Sequence, residues 1–168
     1  AATDDFQGPL AARYAVKQLG IKNVFIIDDK TTYGKGLADE FEKETRILGA
    51  AVLGHEGITQ GEKDFSPLLT KIKPLKPDMI FFGGIYTEGA LLLRQARGLD
   101  IPALLMGGDG IASQALIDLC TAPIAEGVYA TMVGGDIRKA PGAETFIEAY
   151  EAKFGTLGQW SVYGYDAA

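Results

Sequence analysis

The chain has 168 residues, one domain's worth by length, and its 47% apolar and 23% charged residues exclude a disordered or low-complexity polypeptide. Lysine and arginine number 16 against 22 acidic residues, and the net charge of −6 offers no broad basic field for nucleic acid or an anionic membrane. A single cysteine, Cys120, excludes an intramolecular disulfide and a cysteine-cluster metal site, and a single histidine, His55, leaves little for a zinc site or a catalytic triad.

No apolar run approaches the roughly 18 residues of a membrane helix. No signal peptide is visible, and Ala1 stands first in place of methionine, so a processed or trimmed chain is expected. Glycine is over-represented at 22 residues, which points to many tight turns.

Short apolar runs alternate with amphipathic segments. A helix over 8–19 leads, with Pro9 suited to its first turn. A strand over 23–28 follows, then a helix over 34–48 with Leu37, Ala38, Phe41, Thr45 and Leu48 on one face. A strand over 51–56 precedes a helix over 65–72, for which Asp64 is the expected N-cap and Pro67 lies in the first turn. The strand over 78–82 is almost continuously apolar, as parallel strands covered on both faces are. A helix over 87–97 turns Ala90, Leu91, Leu93 and Ala96 inward, with Arg94 and Arg97 outward or toward its C-terminal end. The wholly apolar strand 103–106, a helix over 112–119 and a strand over 127–132 complete the alternation. The expected fold is α/β: a three-layer, doubly wound, mostly parallel sheet with helices on both faces. A helix over 141–154 is closed by Gly155, and 160–168 opens another helix that stops early, as in a piece of a longer chain.

In open parallel sheets ligands bind beyond the carboxyl ends of the strands, so the turns there carry the information. No GxxxxGK[ST] or GxGxxG follows the first strand, and Asp28 and Asp29 in that turn would repel a phosphate. The same pair resembles a magnesium-binding acidic pair of a receiver domain. The aspartate such a domain needs after the third strand is replaced by Gly83-Gly84, and no lysine ends the fifth. Asp109, between glycines after the fourth strand, has two readings that can both hold. One is an N-cap or turn aspartate for the helix near Ala112, and the other is an acceptor for a ligand ammonium. Tyr33, Ile85 and Tyr86 lie in neighbouring turns and would give an apolar wall beside that anionic point, which suits an amino acid or small amphiphilic cation. His55 reads as an edge histidine, Cys120 as a buried thiol on an apolar helix face with Leu116, Ile117 and Leu119, and Trp160 as core or interdomain packing. No nucleophile constellation can be assembled, so no catalytic residue, metal or cofactor is expected.

Three stretches carry a family resemblance: Gly57-Ile58-Thr59-Gln60-Gly61-Glu62-Lys63-Asp64-Phe65-Ser66, the Phe82-Gly83-Gly84 turn with Leu93-Arg94-Gln95-Ala96-Arg97, and Met106-Gly107-Gly108-Asp109-Gly110. Asp5-Phe6-Gln7-Gly8-Pro9 and Thr32-Tyr33-Gly34 agree with them. Over nearly the whole chain the sequence resembles the branched-chain amino-acid-binding proteins of ABC importers, which are type I periplasmic binding proteins. The resemblance implies a non-catalytic protein of two lobes with ligand between them. Residues 1–131 match lobe two, and 132–168 match chain that crosses back toward a first lobe. That lobe, which grips the ligand carboxylate, is the implied partner, together with a membrane ABC permease; an extracytoplasmic location follows.

Carried over by position, Asp109 matches the acidic residue that binds the ligand ammonium, Tyr33 a pocket-lining tyrosine, and Trp160 an aromatic position near the pocket. Two departures stand out: Asp109 is shorter than the family's usual glutamate, and Ile85 replaces a frequent tyrosine, beside Tyr86. Both put a branched-chain ligand in question and admit another amino acid, small carboxylate or amine. A ligand-sensing domain of a receptor or regulator shares the fold and is the alternative.

Overall fold

A computed structural model describes residues 3–132, 134–135 and 137–158. Its contacts divide the chain into a unit over Thr3–Met132 and a second that includes the described residues from 134 onward. The helix expected over 160–168, and Trp160 with it, lies outside the described residues.

The first unit is a five-stranded, wholly parallel sheet formed by β1 (Asn23–Asp28), β2 (Ala51–Gly57), β3 (Met79–Gly83), β4 (Leu104–Gly107) and β5 (Val128–Ala130). Its helices are α1 (Asp4–Arg13), α2 (Thr32–Ile47), α3 (Ser66–Ile72), α4 (Tyr86–Gly98), α5 (Gln114–Cys120) and α6 (Ala122–Ala125). The strand order is β2-β1-β3-β4-β5, so the winding reverses between β1 and β3. In open α/β sheets a reversal of this kind forms a crevice at the carboxyl ends of the two strands, and here α2 and α4 leave those ends for opposite faces of the sheet.

Alternating side chains fill both faces of the sheet. Val24, Ile26, Met79, Phe81 and Met106 pack with α1 and α2 on one side. Phe25, Ile27, Ile80, Phe82 and Leu105 pack with α3, α4 and α5 on the other. Phe41 of α2 stacks on Phe81 at 3.7 Å between ring centroids, and burying each such ring contributes about 1.5–3 kcal/mol. β2 is an edge strand with a register shift between Val24 and Phe25 of its partner, and Gly54 there leaves room for the Phe25 ring.

Several boundaries differ from the sequence expectation. α1 begins at Asp4, so Pro9 sits inside the helix and not in its first turn, and a π-helical turn over Tyr14–Gln18 follows. The early start is held by packing, since Gly8 lies directly against Glu40 and Phe41 of α2. Asp64 accepts from Ser66 N at 3.0 Å, although Phe65 occupies the cap position of α3. Leu92 of α4, passed over in the sequence, is fully buried. Arg97 does not simply face water: its guanidinium donates to the carbonyls of Ile101 and Ala103 at 2.6 and 2.9 Å. On α5 only Leu116 and Cys120 are buried, while Ile117 and Leu119 face solvent. β5 is three residues long, shorter than the expected 127–132.

In the second unit, a 3₁₀ turn (Ile137–Lys139) leads to α7 (Ala143–Phe154). Tyr150 lies 5.1 Å from the Phe154 ring, and Leu157 N donates to Glu151 Oε1 at 3.1 Å.

Candidate ligand-binding site

The turn after β1 is built by its own carboxylates. Asp29 Oδ1 accepts from Thr31 N at 2.9 Å and Thr31 Oγ1 at 2.6 Å, and the Thr31 hydroxyl caps α2 by accepting from Gly34 N at 2.9 Å. Asp28 Oδ1 accepts from Lys30 N at 2.7 Å, which steadies a residue with φ of 60°. Asp28 Oδ2 meets His55 Nε2 at 3.0 Å, and His55 Nδ1 meets Glu42 Oε2 at 2.6 Å. His55 is thus half-buried, bridging β1 and α2 from edge strand β2. Burial acts to raise the Glu42 carboxyl, but hydrogen bonds from Arg46 and His55 outweigh it and hold the group below the usual range. Asp28 and Asp29 are therefore committed to local structure. Among the described residues no group of three or more His, Cys, Asp or Glu is placed to hold a metal.

The capped start of α2 delivers Tyr33 to the crevice. Its first turn lies backbone to backbone on the end of β3: a Cβ at Gly83 would overlap the Gly34 carbonyl. Tyr33 Oη donates to Asp109 Oδ1 at 2.9 Å and accepts from Gly110 N at 3.0 Å. Asp109 opens a single 3₁₀ turn (Asp109–Ile111) and does not cap α5, which begins at Gln114. Ser113 does that, accepting from Ala115 N at 3.2 Å. With Oδ1 held by Tyr33, Asp109 Oδ2 has no hydrogen-bond or ion-pair partner among the described residues.

The electrostatics are anionic. Burial, then the charges of Asp109 and Asp5, push the Asp4 carboxyl up. Burial raises the Tyr33 phenol as well; its bond from Gly110 opposes this, while Asp109 and Asp4 add to it, so the hydroxyl stays a donor. No ion pair joins Asp4 or Asp109 to a lysine or arginine among the described residues.

Of the residues singled out in the sequence, Tyr33 and Asp109 are in direct contact. Ile85 and Tyr86 stand at the start of α4 on the adjoining turn. That turn touches the Asp109 turn through its backbone, since a Cβ at Gly110 would lie 2.6 Å from the Gly84 carbonyl. Tyr86 is half-buried and leans on the core face that includes Phe82.

Asp4, Gln7 and Thr131 also reach this corner and had no role in the sequence reading. Gln7 Oε1 accepts from Asp109 N at 3.4 Å and from Thr131 Oγ1 at 2.8 Å. The available signal is the Asp5-Phe6-Gln7-Gly8-Pro9 stretch, to which the sequence alone attaches no function. The long motif over 57–66 is a clamp. Ile58 and Phe65 are buried, Gly61 N donates to buried Glu88 at 2.8 Å, and Gln95 exchanges hydrogen bonds with Phe65 N and Lys63 O at 2.7 and 2.8 Å.

The carboxyl edge of this parallel sheet presents the Asp109 carboxylate, held by a phenol that a backbone amide steadies, in the region where open α/β sheets commonly receive small molecules. The profile of the family described as Periplasmic binding protein matches residues 1–168, and the chain belongs to that family. It is 38% identical over 150 residues to an amino acid binding protein of Pseudomonas aeruginosa and 37% identical over 150 residues to a Leu/Ile/Val-binding protein of Rhizobium johnstonii. Each alignment covers 89% of this chain and 40% of the relative. The crystal structure of a leucine-binding protein of Thermotoga maritima superposes with a TM-score of 0.87 at 32% identity, covering 98% of this chain and 47% of that one. A branched-chain amino acid transporter substrate-binding protein of Streptococcus pneumoniae, solved in complex with isoleucine, gives a TM-score of 0.85 at 28% identity over 98% of this chain and 47% of that one. The chain therefore spans less than half the length of these proteins.

Proposed function

We propose that this chain is one lobe of a non-catalytic, extracytoplasmic solute-binding protein that captures an amino acid or related small amine for an ABC importer. The observation that carries this reading is the Tyr33–Asp109 hydrogen bond, which spans from the turn after β1 to the turn after β4, orients one carboxylate oxygen and leaves the other open for an ammonium group. Ile85 and Tyr86 form the adjoining wall. Residues 1–131 are lobe two, and 132–168 lead back to a first lobe. The compactness of Thr3–Met132 and the limited share of each relative that is covered both support that division.

Energetics support a second lobe. A micromolar ligand needs about −8 kcal/mol, while one charge-assisted hydrogen bond contributes about 1.5–3 kcal/mol. The rest of the grip, including that on the ligand carboxylate, falls to the other lobe, and closure of the two is what the permease reads. A thermal-shift screen of the standard L-amino acids and their decarboxylated amines against the complete two-lobed polypeptide tests the reading. At least one amino acid should stabilise it and then titrate in the micromolar range. Stabilisation only by compounds lacking an amino group would overturn it.

A further inference from the structure

Gln7 lies in the second turn of α1 with 2% of its surface exposed, a depth at which a carboxamide must find partners. Its oxygen joins three elements, accepting from Asp109 N in the turn after β4 and from Thr131 Oγ1 just beyond β5. The amide orientation is fixed by chemistry, because a backbone N–H can only donate and so the oxygen faces Asp109. Thr131 is anchored in turn, its own N–H donating to Gly107 O at 3.1 Å. The Asp109 backbone is thus held from α1 by Gln7, while its carboxylate is held from α2 by Tyr33.

We propose that Gln7 is a positioning residue for the ammonium-binding carboxylate: its side-chain oxygen, steadied by Thr131, sets the backbone of Asp109 and hence the direction of the open Oδ2. Gln7 acts through Asp109 and need not touch ligand. The bond from Thr131 has an ordinary length of 2.8 Å and anchors the carboxamide, while the contact from Asp109 N is longer at 3.4 Å. This assignment rests on the reading of Asp109 given above.

The test is a double-mutant cycle on the complete two-lobed polypeptide, with calorimetric titration of the standard L-amino acids as probes. Gln7→Met keeps the volume and removes the acceptor, and it should weaken binding by at least about fivefold. In an Asp109→Ala background the same substitution should have no further effect on affinity, which a merely structural role would not produce. If Gln7→Met does not fold, Thr131→Val carries the test by stripping the anchoring bond. It should cost about threefold in the native background and nothing in Asp109→Ala.

Additive losses, or native affinity in Gln7→Met or in its Thr131→Val substitute, would overturn the assignment while leaving Asp109 in the site. Native affinity in Asp109→Ala, or no amino acid bound by the native protein, would overturn the site reading and this assignment together.

Discussion

Replacing Asp109 by asparagine isolates the charge from the geometry. The amide oxygen of the substituted side chain can still accept from Tyr33 Oη, which lies 2.9 Å from Oδ1 in the native chain, and Gly110 N still reaches the phenol at 3.0 Å. The corner therefore stays assembled and the unliganded protein should melt at its native temperature. What is lost is the anionic Oδ2, the atom left open to an ammonium. A hydrogen bond to a charged group contributes about 1.5–3 kcal/mol, and about 1.4 kcal/mol is a factor of ten in affinity. Asp109→Asn should thus weaken amino-acid binding in the complete polypeptide by roughly 10- to 150-fold. Calorimetric titration beside a thermal melt without ligand separates loss of binding from loss of fold. An unchanged dissociation constant with an unchanged melt would refute the assignment of the ammonium to this residue.

Four further outcomes are expected. The isolated 168-residue chain should bind free amino acids only in the millimolar range or weaker, because it has less than half the length of its relatives; a micromolar constant from titration would contradict the two-lobed grip. Glu42 is held below its usual range by Arg46 and His55, so its contribution to stability is complete above the unfolded value near about 4.3 and fades as pH falls through the lower folded value. Urea melts across that acidic window should show a shallower pH dependence for Glu42→Gln than for the native chain, and identical slopes would rule the linkage out. Gly83→Ala would drive a methyl group into the Gly34 carbonyl, parting the α2 turn from β3. It should cost at least about 1–3 kcal/mol, read as a lowered melting temperature, and retained native stability would show that the two turns are not so tightly apposed. Cys120 is fully buried and its thiol is pushed up by that burial, so a thiol reagent should modify it only on the timescale of unfolding; rapid labelling of the native chain would place it elsewhere.

Much of this architecture was legible in the residues. Periodicity located all five strands, because runs such as Met79–Phe82 are buried on both faces and have few other places to go. Helix ends were less legible, since tertiary packing decided them. Residues 4–7 become helical ahead of Pro9 where α1 meets α2 at Gly8, and Ser113 displaces the expected start of α5. The corner itself was half visible. Asp109 and Tyr33 stand out by position after a strand, whereas Gln7 is 102 residues from Asp109, in a helix that reads as ordinary. Nothing local marks a glutamine whose partners are a backbone amide and a distant threonine. Asp28 and Asp29 stand out for the opposite reason: two acids in a turn look like a ligand site, yet the folded chain spends both on its own amides and on His55. The motif over 57–66 is similar: its backbone is held by Glu88 and Gln95, and its Ile58 and Phe65 are buried.

The most direct measurement is a crystal structure of the full-length polypeptide with a bound amino acid, read at one distance. The ammonium nitrogen should lie within about 2.7–2.9 Å of an Asp109 carboxylate oxygen, with the Tyr33 hydroxyl still on the other. An ammonium held by different residues, with Asp109 beyond hydrogen-bonding reach, would contradict the assignment of this corner as the ligand's cationic anchor.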